Sequence, residues 1–290
     1  MRALHAIVLA GGSGRRLAAL TGPLPKQFCA FGGRLTLLQE TLARLAPVAP
    51  SHRTVVVARD LHRDLAQKQL RPFPGATLLA QPSDCGTAPA LLWALVHVLG
   101  RNPEALVVVT PSDHGVRDRD AYLNGIVAAK DAVERAAAVL LGVEADEPRT
   151  DHGWIVPGAE LAPGVRRVDS FVEKPAPAEA MALKARGALF STMVLVARAR
   201  TLLGLFECAR PGLAALLEPL AALPLPAHAL HLRRAYALLP PCDFSRDILE
   251  PARDLAVVGW PQEVGWTDLG TPERVAEWLQ GEVAFPEAVA

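Results

Sequence analysis

Cationic side chains set directly behind a glycine turn suit one kind of chemistry, the handling of phosphates. The sequence places Gly11, Gly12 and Gly14 after the apolar run Ala6-Ile7-Val8-Leu9-Ala10, follows them with Arg15 and Arg16, and adds Lys26 within Pro25-Lys26-Gln27-Phe28. Glycine lets the backbone take φ > 0 and approach a ligand with no Cβ in the way. Successive N–H groups in such a turn form a nest for anions, to which Arg16 and Lys26 add full charge. Two carboxylates stand at comparable punctuation points, Asp113 in Thr110-Pro111-Ser112-Asp113-His114 and Asp268 in Gly265-Trp266-Thr267-Asp268-Leu269-Gly270. Taken singly, Asp113 reads as a helix cap, Asp268 as a turn residue and Glu173-Lys174 as a solvated charge pair.

Two phosphate-loop types are excluded by spacing. No lysine follows Gly14 in the frame of Gly-x-x-x-x-Gly-Lys-Ser/Thr, and Leu17 stands where a dinucleotide fingerprint needs its third glycine.

The elements that must position these residues alternate. Continuous apolar runs, Ala6–Ala10, Thr54–Ala58, Thr77–Ala80, Ala105–Val109 and Ala137–Val143, predict strands buried on both faces. Helical spacing over Leu35–Leu45, Asp60–Leu70, the stretch to Leu99 and Tyr122–Arg135 separates them. This implies an α/β fold with a doubly wound, mixed but mostly parallel sheet. From Thr150 the rhythm changes, and Thr150–Val156 with Val165–Val172 predicts a small antiparallel insertion. Pro177–Arg186 reads as a helix, Leu189–Val196 as a strand, and Arg198–Leu223 as helix broken near Pro211. Pro224–Pro241 gives no clear pattern, while Phe244–Leu249 is helical, Leu255–Val258 a strand and Glu273–Leu279 a closing helix. The expected organisation is a single domain over residues 1–280 with a tail at 281–290.

Lys plus Arg, 30, equals Asp plus Glu, 30, so no basic field recruits nucleic acid. Cys29, Cys85, Cys208 and Cys242 are scattered without Cys-x-x-Cys, which argues against a zinc site or disulfide framework and fits a reducing cytoplasm. No run reaches the ~18 apolar residues of a membrane span.

Several motifs in order carry a resemblance. Leu9-Ala10-Gly11-Gly12-Ser13-Gly14-Arg15-Arg16-Leu17 with Pro25-Lys26 resembles the signature of the sugar-1-phosphate nucleotidyltransferases, and Pro25-Lys26-Gln27-Phe28 is most similar to the mannose-1-phosphate guanylyltransferase branch. Thr87-Ala88-Pro89-Ala90, Pro111-Ser112-Asp113-His114, Gly153-Trp154-Ile155, Phe171-Val172-Glu173-Lys174-Pro175 and Gly265–Gly270 resemble the family's later elements in the family's order.

The resemblance implies a Rossmann-like nucleotidyltransferase fold, the insertion lying on the sugar side, and transfer of a nucleotidyl group from GTP to mannose 1-phosphate with release of pyrophosphate. It implies Arg16, Lys26, Asp113, Lys174 and Asp268 as catalytic residues, with Mg2+ held by Asp113 and Asp268. The nucleotide would lie on Leu9, Ala10, Gly11, Gly12, Ser13, Gly14, Arg15 and Thr87, and the sugar against Gly153, Glu173, Lys174 and Ser191. No isomerase or β-helix domain is expected, and homo-oligomerisation is left open. Departures direct the alternatives. Gly86 replaces the branch's asparagine, and Phe190-Ser191-Thr192-Met193 replaces Trp-Asn-Ser-Gly. The same reaction with another base or sugar (uridylyl, thymidylyl or heptose-type), or a non-catalytic sugar-nucleotide-binding homologue, follows from those changes.

Overall fold

The computed structural model describes residues 4–283. Its frame is a nine-stranded sheet of order β3-β2-β1-β4-β8-β5-β9-β7-β6. The strands are β1 (Leu4–Ala10), β2 (Thr54–Arg59), β3 (Thr77–Gln81), β4 (Leu106–Pro111), β5 (Ala138–Glu144), β6 (Gly153–Ala162), β7 (Val165–Glu173), β8 (Leu189–Arg198) and β9 (Leu255–Trp260). The helices are α1 (Ala18–Thr21), α2 (Leu37–Leu45), α3 (Arg63–Leu70), α4 (Thr87–Leu99), α5 (Arg119–Asp131), α6 (Pro177–Ala185), α7 (Ala199–Ala209), α8 (Pro211–Leu217), α9 (His228–Leu238) and α10 (Pro272–Val283).

Parallel pairing links β3, β2, β1 and β4, and again β5 with β9. Only β7 and β8 run against the rest, so the sheet is mixed with most strands in one direction. The expected antiparallel pair, β6 and β7, is no separate annex. β7 pairs with β9 and β6 with β8, which stitches it into the main sheet. Alternate strand residues bury into two cores, one per face. Ile7, Val107, Val109, Leu195 and Val257 meet α4 and α7, while Ala6, Val8, Val108, Val139 and Val196 meet α2 and α5.

Local chemistry moved several predicted boundaries. The helix predicted over Leu35–Leu45 is α2, preceded by the short α1, and it starts at Leu37 because Thr36 caps it, its hydroxyl accepting from Gln39 N–H while the Gln39 side chain accepts from Thr36 N–H. Asp118 caps α5 in the same way, accepting from Ala121 N–H at 2.9 Å, so that helix runs earlier than Tyr122–Arg135. The predicted Asp60–Leu70 helix begins as a 3-10 turn over Asp60–His62. The patternless Pro224–Pro241 stretch holds α9, and Ser245–Leu249 forms a π-turn instead of an α-helix. Helix α10 passes position 281, and residues 284–290 of the predicted tail lie outside the described residues.

Candidate active site

β1 and β4 are parallel neighbours, so their C-terminal ends deliver Gly11–Gly14 and Ser112–His114 to one edge of the sheet. Ser112 N–H donates to Leu9 O at 3.0 Å, locking the two exits together. Asp268 reaches this edge through a separate clasp. Gly115 and Thr267 exchange both backbone hydrogen bonds, at 2.9 and 3.0 Å, which sets the 265–270 turn beside Asp113.

The glycine loop is shaped from below by Gln27, which is buried. Its Nε2 donates to Ala10 O at 2.9 Å and to Gly12 O at 2.8 Å. With those two carbonyls held by Gln27, the N–H groups of the turn are the ones available to form an anion nest. Gly14 has φ 65°, and a Cβ there would lie 2.9 Å from Lys26 N. The predicted lysine follows at once, and it is the hub of the site. Lys26 is buried, its Nζ 3.1 Å from Asp113 Oδ2 and donating to the carbonyls of Asp268 at 2.5 Å and Leu269 at 3.3 Å.

Two adjoining cavities open around these groups. One, about 260 Å³, is lined by Leu9, Gly11, Gly12, Thr87, Met193 and Asp243 among others. The second, about 250 Å³, is lined by Gly12, Ser13, Gly14, Arg16, Leu17, Lys26 and Gly270. Both include Gly12 and Asp113, so the two cavities adjoin at these residues. The predicted nucleotide residues Leu9, Gly11, Gly12, Ser13, Gly14 and Thr87 therefore share one continuous cleft. Ala10 is buried in the strand below it, while Arg15 contributes its backbone to the 3-10 turn Arg15–Leu17. The Thr87 hydroxyl is committed within the protein, donating to Asp243 Oδ2 at 3.2 Å and accepting from Phe244 N–H at 2.8 Å.

The predicted sugar residues sit on β6, β7 and β8. Gly153 stands opposite Glu173 in the β6–β7 register. A Cβ on Gly153 would lie 2.7 Å from Glu173 Oε2 and 2.9 Å from Phe171 Cζ, so glycine alone leaves that carboxylate in place. Lys174 takes φ 53°, its N–H donates to His152 O at 3.1 Å, and its ammonium pairs with Glu173 Oε1 at 2.8 Å. Ser191 belongs to a bulge. Leu141 pairs with Val194 and Gly142 with Ser191, leaving Thr192 and Met193 as extra residues. Met193 takes φ 60°, its N–H donates to Ser191 Oγ at 3.3 Å, and its side chain lines the 260 Å³ cavity. The Ser191 hydroxyl thus accepts from the bulge and keeps its own O–H to donate.

The residues that sequence reasoning missed form a charged network beneath Asp268. Arg274 Nη1 lies 2.9 and 3.0 Å from the two Asp268 oxygens and 3.1 Å from Asp151 Oδ2, and its Nη2 donates to Asp151 Oδ1 at 3.2 Å. Asp151 also meets His152 Nδ1 at 2.8 Å and Arg16 Nη1 at 3.4 Å. Burial pushes the Asp268 carboxyl up, but His152, Arg274, His114 and Lys26 outweigh it and leave it below its ordinary value. Burial likewise opposes Asp151, and Arg274 with His152 brings it well below the carboxylate range. His114 is held down to about 4 by burial, so it is neutral near pH 7. Its Nδ1 accepts from Trp266 Nε1 at 3.2 Å, and its Nε2 lies 3.9 Å from Asp113 Oδ1. Trp154, fully buried, packs edge-on against Phe190.

Among the described residues no cluster of three or more His, Cys, Asp or Glu is arranged to hold a metal. Lys26 joins the Asp113 carboxylate to the backbone carbonyl of Asp268, and two carboxylates completed by substrate phosphates are a donor set that could hold a hard divalent cation.

A glycine loop, a buried lysine and two aspartates thus gather at the C-terminal edge of the parallel strands of an α/β sheet, the edge at which such sheets place ligands. The chain belongs to the nucleotidyl transferase family, whose profile matches residues 5–281. It is 34% identical over 272 residues to the xanthan biosynthesis protein XanB of Xanthomonas campestris pv. campestris (strain B100), covering 91% of this chain and 57% of that protein. It is 32% identical over 281 residues to a mannose-1-phosphate guanylyltransferase of Escherichia coli (strain K12), covering 92% of this chain and 58% of the relative. The chain therefore spans well under two thirds of the length of these curated relatives. The solved structure of a mannose-1-phosphate geranyltransferase from Thermus thermophilus superposes with a TM-score of 0.82 at 32% identity, over 94% of this chain and 79% of that one. No helix among the described residues is long and apolar enough to cross a membrane.

Proposed function

We propose that this protein transfers a nucleotidyl group from a nucleoside triphosphate to a sugar 1-phosphate, with GTP and mannose 1-phosphate as the substrates. The observation that carries the reading is the meeting of Lys26, Asp113 and the Asp268 turn where the two cavities adjoin. The nucleoside occupies the cavity over Leu9 and Thr87, and the triphosphate bends at Gly12 into the cavity under Arg16.

A sugar-phosphate oxygen attacks the α-phosphorus, the bond from that phosphorus to the bridging oxygen breaks, and pyrophosphate leaves. The attacking phosphate is already ionised near neutral pH, with a second pKa of about 6, so no general base is needed. The protein's task is alignment and charge neutralisation. The N–H groups of Gly11–Gly14 hold phosphate oxygens. Arg16, 63% exposed and only loosely paired, turns onto the β- and γ-phosphates and follows the charge onto departing pyrophosphate. Lys26 stands beside the α-phosphate at Asp113. Lys174 grips the phosphate of the sugar, and Glu173 accepts from its hydroxyls. Asp113 and Asp268 would hold magnesium, which when bound neutralises and aligns the phosphate oxygens of both reactants.

A second reading keeps this chemistry and changes the base or sugar. Gly86 takes φ 89°, and a Cβ there would lie 2.3 Å from Cys242 O, so the segment carrying Asp243 closes over the nucleoside cavity where a side chain would otherwise project. Pyrophosphate release measured over a grid of nucleoside triphosphates and sugar 1-phosphates separates the two. Maximal release with GTP and mannose 1-phosphate supports the first, another preferred pair supports the second, and a folded protein silent across the grid contradicts both.

A further inference from the structure

Asp268 is already occupied by a cation from its own chain. One guanidinium nitrogen of Arg274 sits within hydrogen-bond distance of both Asp268 oxygens, and the same nitrogen is shared with Asp151. The second guanidinium nitrogen belongs to Asp151 alone. Arg274 is well shielded, its side chain 13% exposed, and it sits on α10, just beyond the loop that carries Asp268. Asp151 comes 123 residues before Arg274 in the chain and is also the partner of Arg16, at 3.4 Å. The charges of Lys26, Arg274 and Arg16 thus match those of Asp113, Asp268 and Asp151 one for one.

We infer that Arg274 is an internal competitor for the divalent cation at Asp268, and that Asp151 is the counterweight that draws Arg274 away. The inference rests on the reading of Asp268 as a metal ligand. A cation on an Asp268 oxygen is repelled by the guanidinium beside it until the guanidinium draws back, and an arginine left without any carboxylate in a shielded site would be strongly disfavoured. Asp151 removes that obstacle, because its two-point grip keeps Arg274 neutralised after Asp268 is released. Arg16 sets the direction of the exchange. While Arg16 leans on Asp151, part of that carboxylate's charge is spent. Once a triphosphate takes Arg16, Asp151 loses that competing cation and holds Arg274 beside His152. Arg274 and Asp151 are therefore positioning residues that tie metal affinity to occupancy of the phosphate cavity.

Direct binding of Mn2+ alone, read by calorimetry and by the spin-resonance signal of the free ion, tests this without turnover. Arg274→Ala and Arg274→Gln, each checked for folding by circular dichroism, should bind Mn2+ about tenfold more tightly than the parent, since removing one charge of a shielded pair leaves the other uncompensated. Asp151→Asn should weaken Mn2+ binding, because Arg274 then has only Asp268. The double variant Asp151→Asn/Arg274→Gln should bind like Arg274→Gln. Parent-like or weaker binding in both Arg274 variants, or tighter binding in Asp151→Asn, overturns the inference. Asp268→Asn separates the underlying reading. Loss of Mn2+ binding there with unchanged Arg274 variants sinks the competitor alone, whereas parent-like binding in Asp268→Asn sinks the metal assignment and the inference with it.

Discussion

Gln27→Ala removes the only side-chain donor to Ala10 O and Gly12 O among the described residues, at 2.9 and 2.8 Å. The two carbonyls are not equivalent. The contact with Ala10 O is buried, so losing its donor costs the desolvation of a stranded acceptor, about 1–3 kcal/mol. The contact with Gly12 O is partly open, and water can replace it, so only the net worth of about 1 kcal/mol is lost. Together the ordered loop is weakened by about 2–4 kcal/mol, which is roughly 30- to 1,000-fold in its population relative to disordered alternatives. The loop carries the N–H groups available to phosphate, so the loss should fall on nucleotide binding. Steady-state pyrophosphate release with each substrate varied in turn, beside thermal denaturation, gives the readout. The expected result is a raised KM for the nucleoside triphosphate, with the sugar-phosphate KM changed far less and Tm lowered by several degrees. Gln27→Glu should be worse than Gln27→Ala, because it sets a carboxylate against two carbonyls and near phosphates. A Gln27→Ala protein with parental nucleotide KM and parental Tm would refute the claim that this side chain shapes the nest.

Three further perturbations probe other parts of the site and the core. Gly153→Ala sets a methyl 2.7 Å from Glu173 Oε2 and should cost about 1–3 kcal/mol by overpacking while raising the sugar-phosphate KM and sparing that of the nucleotide; equal shifts in both constants would count against a sugar-side role. Met193 takes φ 60°, so Met193→Gly relieves about 1–2 kcal/mol of backbone strain against the packing it forfeits, whereas Met193→Val adds β-branching to the strain. Glycine should leave Tm near the parental value and valine should lower it, and the reverse order in calorimetry would contradict the argument. His97 is buried, with Arg101 Nη1 2.9 Å from its Nδ1, and burial first, then Arg101 and His228, hold its imidazole down to about 4 from 6.5. The folded chain then binds fewer protons than the unfolded one in this window, so the stability present above pH 6.5 is lost as pH falls towards about 4. His97→Leu should flatten part of that decline in Tm, and an unaltered profile would remove His97 from its causes.

The site divides into residues whose roles are local and residues whose roles depend on distant partners. Local backbone patterns were legible because one short stretch holds the whole signal. The strand-then-glycine run at Ala6–Gly14 and the apolar strands of the parallel core kept their predicted character. Gln27 was visible inside Pro25-Lys26-Gln27-Phe28, yet its task is set by carbonyls that the loop brings to it only when folded. The Asp151–Arg274 pair was not legible, since its partners are 123 residues apart and neither side chain sits in a spaced motif. β8 was read as a strand, but its direction against β4 and β5 follows from the path of the preceding chain, which periodicity does not encode. The same holds for the bulge at Thr192–Met193, in which Met193 N–H donates to the Oγ of Ser191, a local geometry that periodicity does not encode.

The central claim is tested most directly by pyrophosphate release from GTP and mannose 1-phosphate by the parent and by Asp113→Asn, with product identified by chromatography. The account predicts release that requires both substrates and a divalent cation, GDP-mannose as product, and a fall of about a hundredfold or more in the folded variant. Release by Asp113→Asn at the parental rate, or none from folded parent under any divalent cation, would contradict it.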